Sequence, residues 1–432
     1  MHTTVFEYGY LTFEKTAYHD VNAQLISKGA FEYLKEVCLG VNQAEVRQCF
    51  DLVKRYGFEL IQVKNYVGVI LTPSGEHIEV LPKIGRKAQE PKNAANESRD
   101  ILLMMLQHLR SFRHIATNQA SVNSKQTPLL EVFIEQFLCS VNRLVKRGLK
   151  STYVSQVDNL NFQKGKLLVP QQIKRNTVNR HKFYVEYDEY LINSPANRLI
   201  KTALEKIHKL TKLASNQKLL QELKFVFVDI PCSHLITNDI NALKIDRSMR
   251  DYDEPLSWAT LILENLSPLS MKGSHNALSL LFPMERVFES YVASVLRHEL
   301  PVEIELKTQA SSRYLLTHYD RGQFQLKPDL LITKPDNSML VLDTKWKLLD
   351  LDAYNYGLSQ ADLYQMFAYG HKYLNGVGDL YLIYPAHDGF TKPIGHSFDF
   401  SDSLKLWVVP FDLSLNQSSC LDTATYHKLL SY

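Results

Sequence analysis

Residues 324–350, FQLKPDLLITKPDNSMLVLDTKWKLLD, decide how the chain is read. Two extended segments are predicted, 324–333 and 338–347. The first carries Pro328-Asp329 and the second runs Leu340-Val341-Leu342-Asp343-Thr344-Lys345-Trp346. Residues i and i+2 share a face of a strand, so Asp343 and Lys345 point the same way and Leu342 faces the opposite, apolar side. A hairpin between the two strands brings Asp329 near Asp343. Burying most of a strand while leaving an acid and a base side by side at its end costs free energy unless something uses them. Two carboxylates and a lysine meet the needs of magnesium-assisted phosphodiester cleavage. Magnesium takes hard oxygen ligands and keeps several waters, so Asp329 and Asp343 suffice as protein ligands. The metal polarises the phosphate, and the lysine orients water or stabilises developing charge. The plainer alternative is a cross-strand ion pair on an exposed sheet face.

Working outward, a helix is predicted over 283–300 (PMERVFESYVASVLRHEL), with Pro283 at its start. Glu285 and Glu289 lie one turn apart on it, and either can present a third carboxylate. Downstream, a helix over 359–373 carries Gln365 and Tyr369 on one face, an amide and a phenol suited to phosphate or sugar contacts. Strands follow at 378–384 and 404–409. With a further extended segment at 302–308, the order helix, three strands, helix, strands implies a mixed sheet with helices on its faces. An acid on a helix, then PD, then D-x-K, then Q-x-x-x-Y resembles the PD-(D/E)xK nuclease superfamily, in its branch with a Q-x-x-x-Y helix.

The remainder of the 432 residues reads as globular protein. Hydrophobic residues make up 45% and charged residues 22%, which excludes a disordered chain, and a net charge of +3 excludes a histone-like basic coat. Five cysteines, at 38, 49, 139, 232 and 420, include no C-x-x-C pair, and the histidines form no H-x-x-x-H cluster. A disulfide framework or zinc site is therefore not expected. The N-terminus does not read as a signal peptide, and no apolar run reaches the roughly 18 residues that cross a bilayer, so a cytoplasmic protein without membrane contact is expected.

Residues 58–83 alternate around Pro73-Ser74-Gly75 and read as a hairpin, 84–99 as an exposed loop, and 98–113 as a helix. A helix over 129–148 ends in Lys146-Arg147-Gly148, and residues 150–172 read as extended. Another helix runs from Ser194 to Leu210, shorter ones cover 217–224 and 256–265, and Ser267–His275 is the expected linker. Between Arg143 and Lys182 lie ten Lys/Arg and one acid, Asp158, a local positive field suited to DNA backbone or an acidic partner.

Beyond the nuclease motifs, NYVGVI (65–70), EVLPKIG (79–85), the helix LLEVFIEQFLCSVNRLVKRGL, NFQKGKLLVPQQIKRN (161–176), EYDEYLINSPANRLIKTAL (186–204) and LFPMERVFESYV (281–292) resemble the McrC family, the nuclease subunits of McrBC modification-dependent restriction systems. The resemblance covers most of the chain and implies a multidomain α/β (α+β) protein. It comprises a β-rich partner-binding region over 1–125, a basic helical middle region over 126–275, and a PD-(D/E)xK restriction-endonuclease-like domain over 276–432. It implies a Mg2+-dependent DNA endonuclease with Asp329, Asp343 and Lys345 catalytic, Glu289 the upstream acid in its F-E-x-Y setting, and Asp329 and Asp343 the metal ligands. Gln365, Tyr369, Lys164 and Lys166 are the expected DNA contacts.

The implied partner is a McrB-like AAA+ GTPase ring that recognises methylated double-stranded DNA and is stimulated by the N-terminal part of McrC. In keeping with that, the chain has no G-x-x-x-x-G-K-[ST] loop and is expected to bind no nucleotide itself. Two copies acting together would explain double-strand cleavage. Where the family has an R-G-R-type turn, this chain has Gln163-Lys164-Gly165-Lys166, and lysine lacks arginine's bidentate fork. The alternatives are a non-catalytic regulator of an AAA+ ring and a stand-alone repair nuclease.

Overall fold

The computed structural model describes residues 2–15, 23–39, 49–55, 57–84, 91–108, 127–243, 247–264 and 279–413. The chain divides into two compact units, one of Met1–Gln126 with Ser267–Tyr432 and one of Thr127–Leu266. The first and last thirds, which the sequence reading kept apart, thus belong to one unit. Its first pass along the chain gives β1 (His2–Phe6), β2 (Tyr10–Thr12), β3 (Gln24–Leu25), α1 (Lys28–Leu39), β4 (Phe50–Arg55), β5 (Phe58–Val63), β6 (Tyr66–Leu71), β7 (His77–Leu81) and α2 (Pro91–Leu106).

The expected hairpin forms between β6 and β7, closed where Gly75 N donates to Thr72 O. β5 leaves it to pair with β2 and β4 in a second sheet. Helix α2 starts at Pro91, where a loop was expected to run to 99. Proline suits a first helical turn because its missing N–H would be unsatisfied there in any case. The outer part of the expected 98–113 helix and the 267–275 linker lie outside the described residues.

The second unit holds α3 (Leu129–Arg147), β8 (Thr152–Leu160), β9 (Lys166–Leu167), α4 (Val169–Asn176), β10 (Phe183–Leu191), α5 (Pro195–His208), α6 (Ala214–Val226), α7 (Ile236–Asn241), a 3-10 turn (Arg247–Tyr252) and α8 (Asp253–Glu264). Ser194 Oγ caps α5 by accepting from Asn197 N at 3.3 Å, as its sequence position implies. Residues 169–172, expected to be extended, instead open helix α4. Asn176 locks that turn, with Nδ2 donating to Gln172 Oε1 at 2.9 Å and to Asn159 Oδ1 at 2.7 Å.

Returning to the first unit, β11 (Ser279–Pro283) pairs antiparallel with β6 and so completes the N-terminal sheet in the order β1-β7-β6-β11. Then come α9 (Met284–Glu299), β12 (Glu305–Thr308), β13 (Arg313–His318), β14 (Arg321–Leu326), β15 (Leu330–Thr333), β16 (Met339–Thr344), α10 (Gln360–Tyr373), β17 (Gly378–Pro385), β18 (Phe398–Asp399) and β19 (Leu404–Phe411). The main sheet is mixed, with strand order β12-β15-β16-β17-β19-β18. β12, β15 and β16 form an antiparallel meander, and α10 is the crossover that lets β17 lie parallel to β16.

Leu340, Val341 and Leu342 are all buried, as expected of a central strand covered on both faces. α10 approaches this sheet at Gly370. A Cβ added there would lie 2.7 Å from Leu404 Cδ2, so a larger residue would have to displace the buried Leu404 side chain. Among the described residues no helix is long and apolar enough to cross a membrane.

A candidate catalytic site at the end of the central strand

In the β15–β16 register Leu330 faces Leu342, which sets Asp329 beside Asp343 at the C-terminal end of β16. Parallel strands begin at this point of the sheet, and the C-terminal ends of such strands are where open α/β sheets bind ligands. Asp329 is fixed from two sides. Its Oδ2 accepts from Thr344 N at 2.8 Å and from Thr344 Oγ1 at 2.7 Å. Its Oδ1 accepts from Gln309 Nε2 at 3.3 Å, and the same amide donates to Glu289 Oε1 at 2.5 Å. Glu289 thus reaches the site from α9, whereas Glu285 accepts from Asn65 Nδ2 at 2.5 Å, away from it.

Lys345 Nζ lies 2.6 Å from Asp343 Oδ2 and 3.7 Å from Asp362 Oδ1. Asp343 Oδ2 has that ion-pair neighbour but no hydrogen bond of good geometry, although Asp343 is only 1% exposed. Gln365 Oε1 accepts from Lys345 Nζ at 3.0 Å, Gln365 Nε2 donates to Tyr369 Oη at 2.7 Å, and Tyr369 Oη donates to Lys327 O at 3.0 Å. The bonds run from the lysine through α10 back to the chain that carries Pro328 and Asp329. Tyr369 is 3% exposed and its hydroxyl is already engaged, so here it braces the loop. The DNA contact expected of it has no free donor in this arrangement.

The electrostatics are lopsided. Burial, then the Asp329 charge, pushes the Asp343 carboxyl up to about 7 against the pull of Lys345. Burial also raises Asp329, although Thr344, Lys345 and Gln309 act the other way. Glu289 is raised by burial and then by Asp329. Burial works against the Lys345 ammonium, yet Asp343, with help from Asp362 and Asp329, holds its pKa above the ordinary lysine range. One cation thus faces four carboxylates, and the acids resist ionising together. A group of three or more His, Cys, Asp and Glu side chains arranged to enclose a metal does not occur among the described residues.

Three members of the site had not been singled out from sequence. Gln309 sits at φ 50°, a left-handed conformation with no signature in the sequence, and its amide N donates to Asp329 O at 2.9 Å. Thr344 was hidden by strand alternation, which assigns it to the opposite face from Asp343. Asp362 could have been found, since it lies three residues before Gln365 on one helix face. Lys164 and Lys166 are in the other unit. Lys164 Nζ lies 4.0 Å from the centroid of the Tyr187 ring, and Lys166 is exposed on β9. Of the cations between Arg143 and Lys182, Arg143 pairs with Glu254 and Arg147 with Asp251.

The family model for the McrBC 5-methylcytosine restriction system component matches residues 61–385. The chain belongs to that family. Among solved structures, this McrBC family member is similar to a chain of the refined half-complex from the tetradecameric assembly of Thermococcus gammatolerans McrB AAA+ hexamers with bound McrC. The identity is 19%, covering 100% of this chain and 99% of that one, with a TM-score of 0.70. The likeness shows that the two share a fold. A chain of the Thermococcus gammatolerans McrBC complex is 23% identical over 70% of this chain and 88% of that one, with a TM-score of 0.48. Comparison with curated proteins gives no match.

Proposed function

We propose that this McrBC family member is the Mg2+-dependent DNA endonuclease subunit of a restriction system and that residues 279–413 carry a PD-(D/E)xK nuclease fold. The observation that carries this reading is the meeting of Asp329, Asp343, Glu289 and Lys345 at one end of β16. Their oxygens fit magnesium. Asp343 Oδ2 is buried without a hydrogen bond of good geometry, and the surplus of carboxylates over cations leaves negative charge that a divalent ion would offset. Asp329 and Asp343 would hold the ion, with Glu289 beside them. Two protein carboxylates are enough because magnesium retains water and takes phosphate oxygens. Bound there, it supplies Lewis-acid polarisation of the phosphate ester.

This chain's own residues do the rest. Lys345 stays an ammonium, because the surrounding carboxylates raise its pKa, and it is aimed by Gln365 at charge building on the phosphate. Thr344 and Gln309 fix the rotamer of Asp329, and Tyr369 holds the loop that delivers it. The partner we propose is a McrB-like AAA+ GTPase ring, as in the assembly of the Thermococcus relative, with methylated double-stranded DNA as substrate. Nucleotide binding falls to that ring, since this chain carries no phosphate loop. Two copies acting together would cut both strands.

The test is Asp343→Ala and Lys345→Ala in the complex with the ring. Cleavage of methylated DNA should fall by at least about 10²–10³-fold, while stimulation of the partner's GTPase persists. Undiminished cleavage by both variants rejects the assignment.

A further inference from the structure

We infer that the β13–β14 hairpin is a DNA-gripping arm that seats a duplex beside the candidate cleavage site, an inference that rests on the nuclease reading above. The hairpin is a sheet of its own, two strands closed by Tyr319-Asp320, and every residue from Arg313 to Gln325 is exposed. A lone two-stranded ribbon is at best marginal in water, yet this one displays Tyr314, Leu315 and Leu316. Its tip displays Tyr319 at 86% exposure, and Phe324 is 71% exposed. Phe324 also has φ 56°, an uncommon backbone conformation for an aromatic residue, so that its ring is presented to solvent at a conformational cost. Clustered exposed apolar side chains mark a surface that meets something.

The charge on the arm and the way it is anchored favour DNA as the occupant. Arg313, Arg321 and Lys327 line the arm and its foot against a single acid, Asp320, and among the described residues no carboxylate pairs with those three cations. Cations interleaved with aromatics suit the phosphates, sugars and groove edges of a duplex. Both feet are tied to the site. Tyr373 Oη donates to Ala310 O at 2.8 Å and to Leu326 O at 3.0 Å, from the same helix that carries Gln365 and Tyr369. Asp329 follows Leu326 by three residues. Six residues of strand reach about 20 Å, and a two-stranded ribbon fits the roughly 12 Å major groove. The arm therefore spans about six base pairs to one side of the phosphate at Asp343.

The experiment measures the affinity of the full chain for a 30-bp duplex by fluorescence anisotropy, without divalent metal, across a salt series. Arg321→Ala should lower the slope of log affinity against log salt by about one. Tyr319→Ala with Phe324→Ala should weaken binding about tenfold, a loss of about 1.4 kcal/mol. Asp343→Ala removes a negative charge from the site and should bind at least as tightly as wild type, so lost cleavage without lost affinity reports on the site, and lost affinity reports on the arm. Trimming the duplex to fewer than about six base pairs on one side should weaken wild type and leave the double variant unchanged. Unchanged affinity and slope in both hairpin variants overturn the inference, as does the absence of duplex binding by wild type at about 50 mM salt. A shift from dimer to monomer in sedimentation at unchanged DNA affinity also overturns it, by making a second copy the occupant.

Discussion

Glu7 offers a sharp test of how the N-terminal sheet supports the strand that carries Lys345. The residue follows β1 and is 0% exposed. Its Oε2 accepts from Lys83 N at 3.0 Å and from Trp346 Nε1 at 2.9 Å, and its Oε1 lies 3.2 Å from the same indole nitrogen. Lys83 Nζ donates in turn to Trp346 O at 3.0 Å, so the residue next to Lys345 is held at both its ring and its backbone. Burial pushes the Glu7 carboxyl from an ordinary 4.5 to about 7, despite the Lys83 charge and the two donors.

The sign follows from linkage. The folded protein holds this proton more tightly than the unfolded chain does. The fold therefore keeps its full stability below about 4.5, loses it as pH rises to about 7, and stays at the lower level beyond. That shift corresponds to about 3 kcal/mol at roughly 1.4 kcal/mol per pH unit. Glu7→Gln keeps an oxygen for Lys83 N and the indole and removes the titration. Urea unfolding of wild type and E7Q at pH 4.5 and pH 8 should show the variant gaining about 2–3 kcal/mol on wild type between the two conditions. Parallel pH dependence, with a difference under about 0.5 kcal/mol, would show that Glu7 is not held protonated and would refute the reasoning.

Two further outcomes are expected. Gln365→Ala removes the hydrogen bond that aims Lys345 and the link to Tyr369, so the cleavage rate at saturating DNA should drop about 10–100-fold; an unchanged rate would show that the lysine is positioned by its carboxylates alone. Arg99 makes a buried pair with Glu79, Nε to Oε1 at 2.7 Å and Nη2 to Oε2 at 2.8 Å, and Arg99→Ala should cost about 3–5 kcal/mol in urea unfolding because it strands a buried carboxylate. A loss under about 1 kcal/mol would mean that water or His2 takes over.

What could be read from the chain, and what could not, divides along the range of the interactions. Short-range pattern fixed the helices 129–148 and 283–300 nearly to the residue, because their caps and periodicity are local. It also placed Asp343 and Lys345 on one face, since alternation is a property of any strand. Helix α4 escaped because eight residues are too few for helical spacing to stand out, and the Asn176–Asn159 bond that locks it forms only in the fold. Gln309 escaped because only the folded loop puts its amide between Glu289 and Asp329.

The linear order of acid, PD, D-x-K and Q-x-x-x-Y was thus enough to propose the reacting groups and the superfamily they resemble. Folding alone decided the rest: that Gln309 bridges Glu289 to Asp329 while Glu285 turns to Asn65, that Tyr369 is a buried brace, and that β11 joins the N-terminal sheet to build one unit from both ends of the chain. Each of these depends on contacts between residues 20 to more than 200 positions apart. Such contacts are set by how packed elements exclude one another and by where a buried polar group finds its partner, and no local window of sequence contains both halves of the pair.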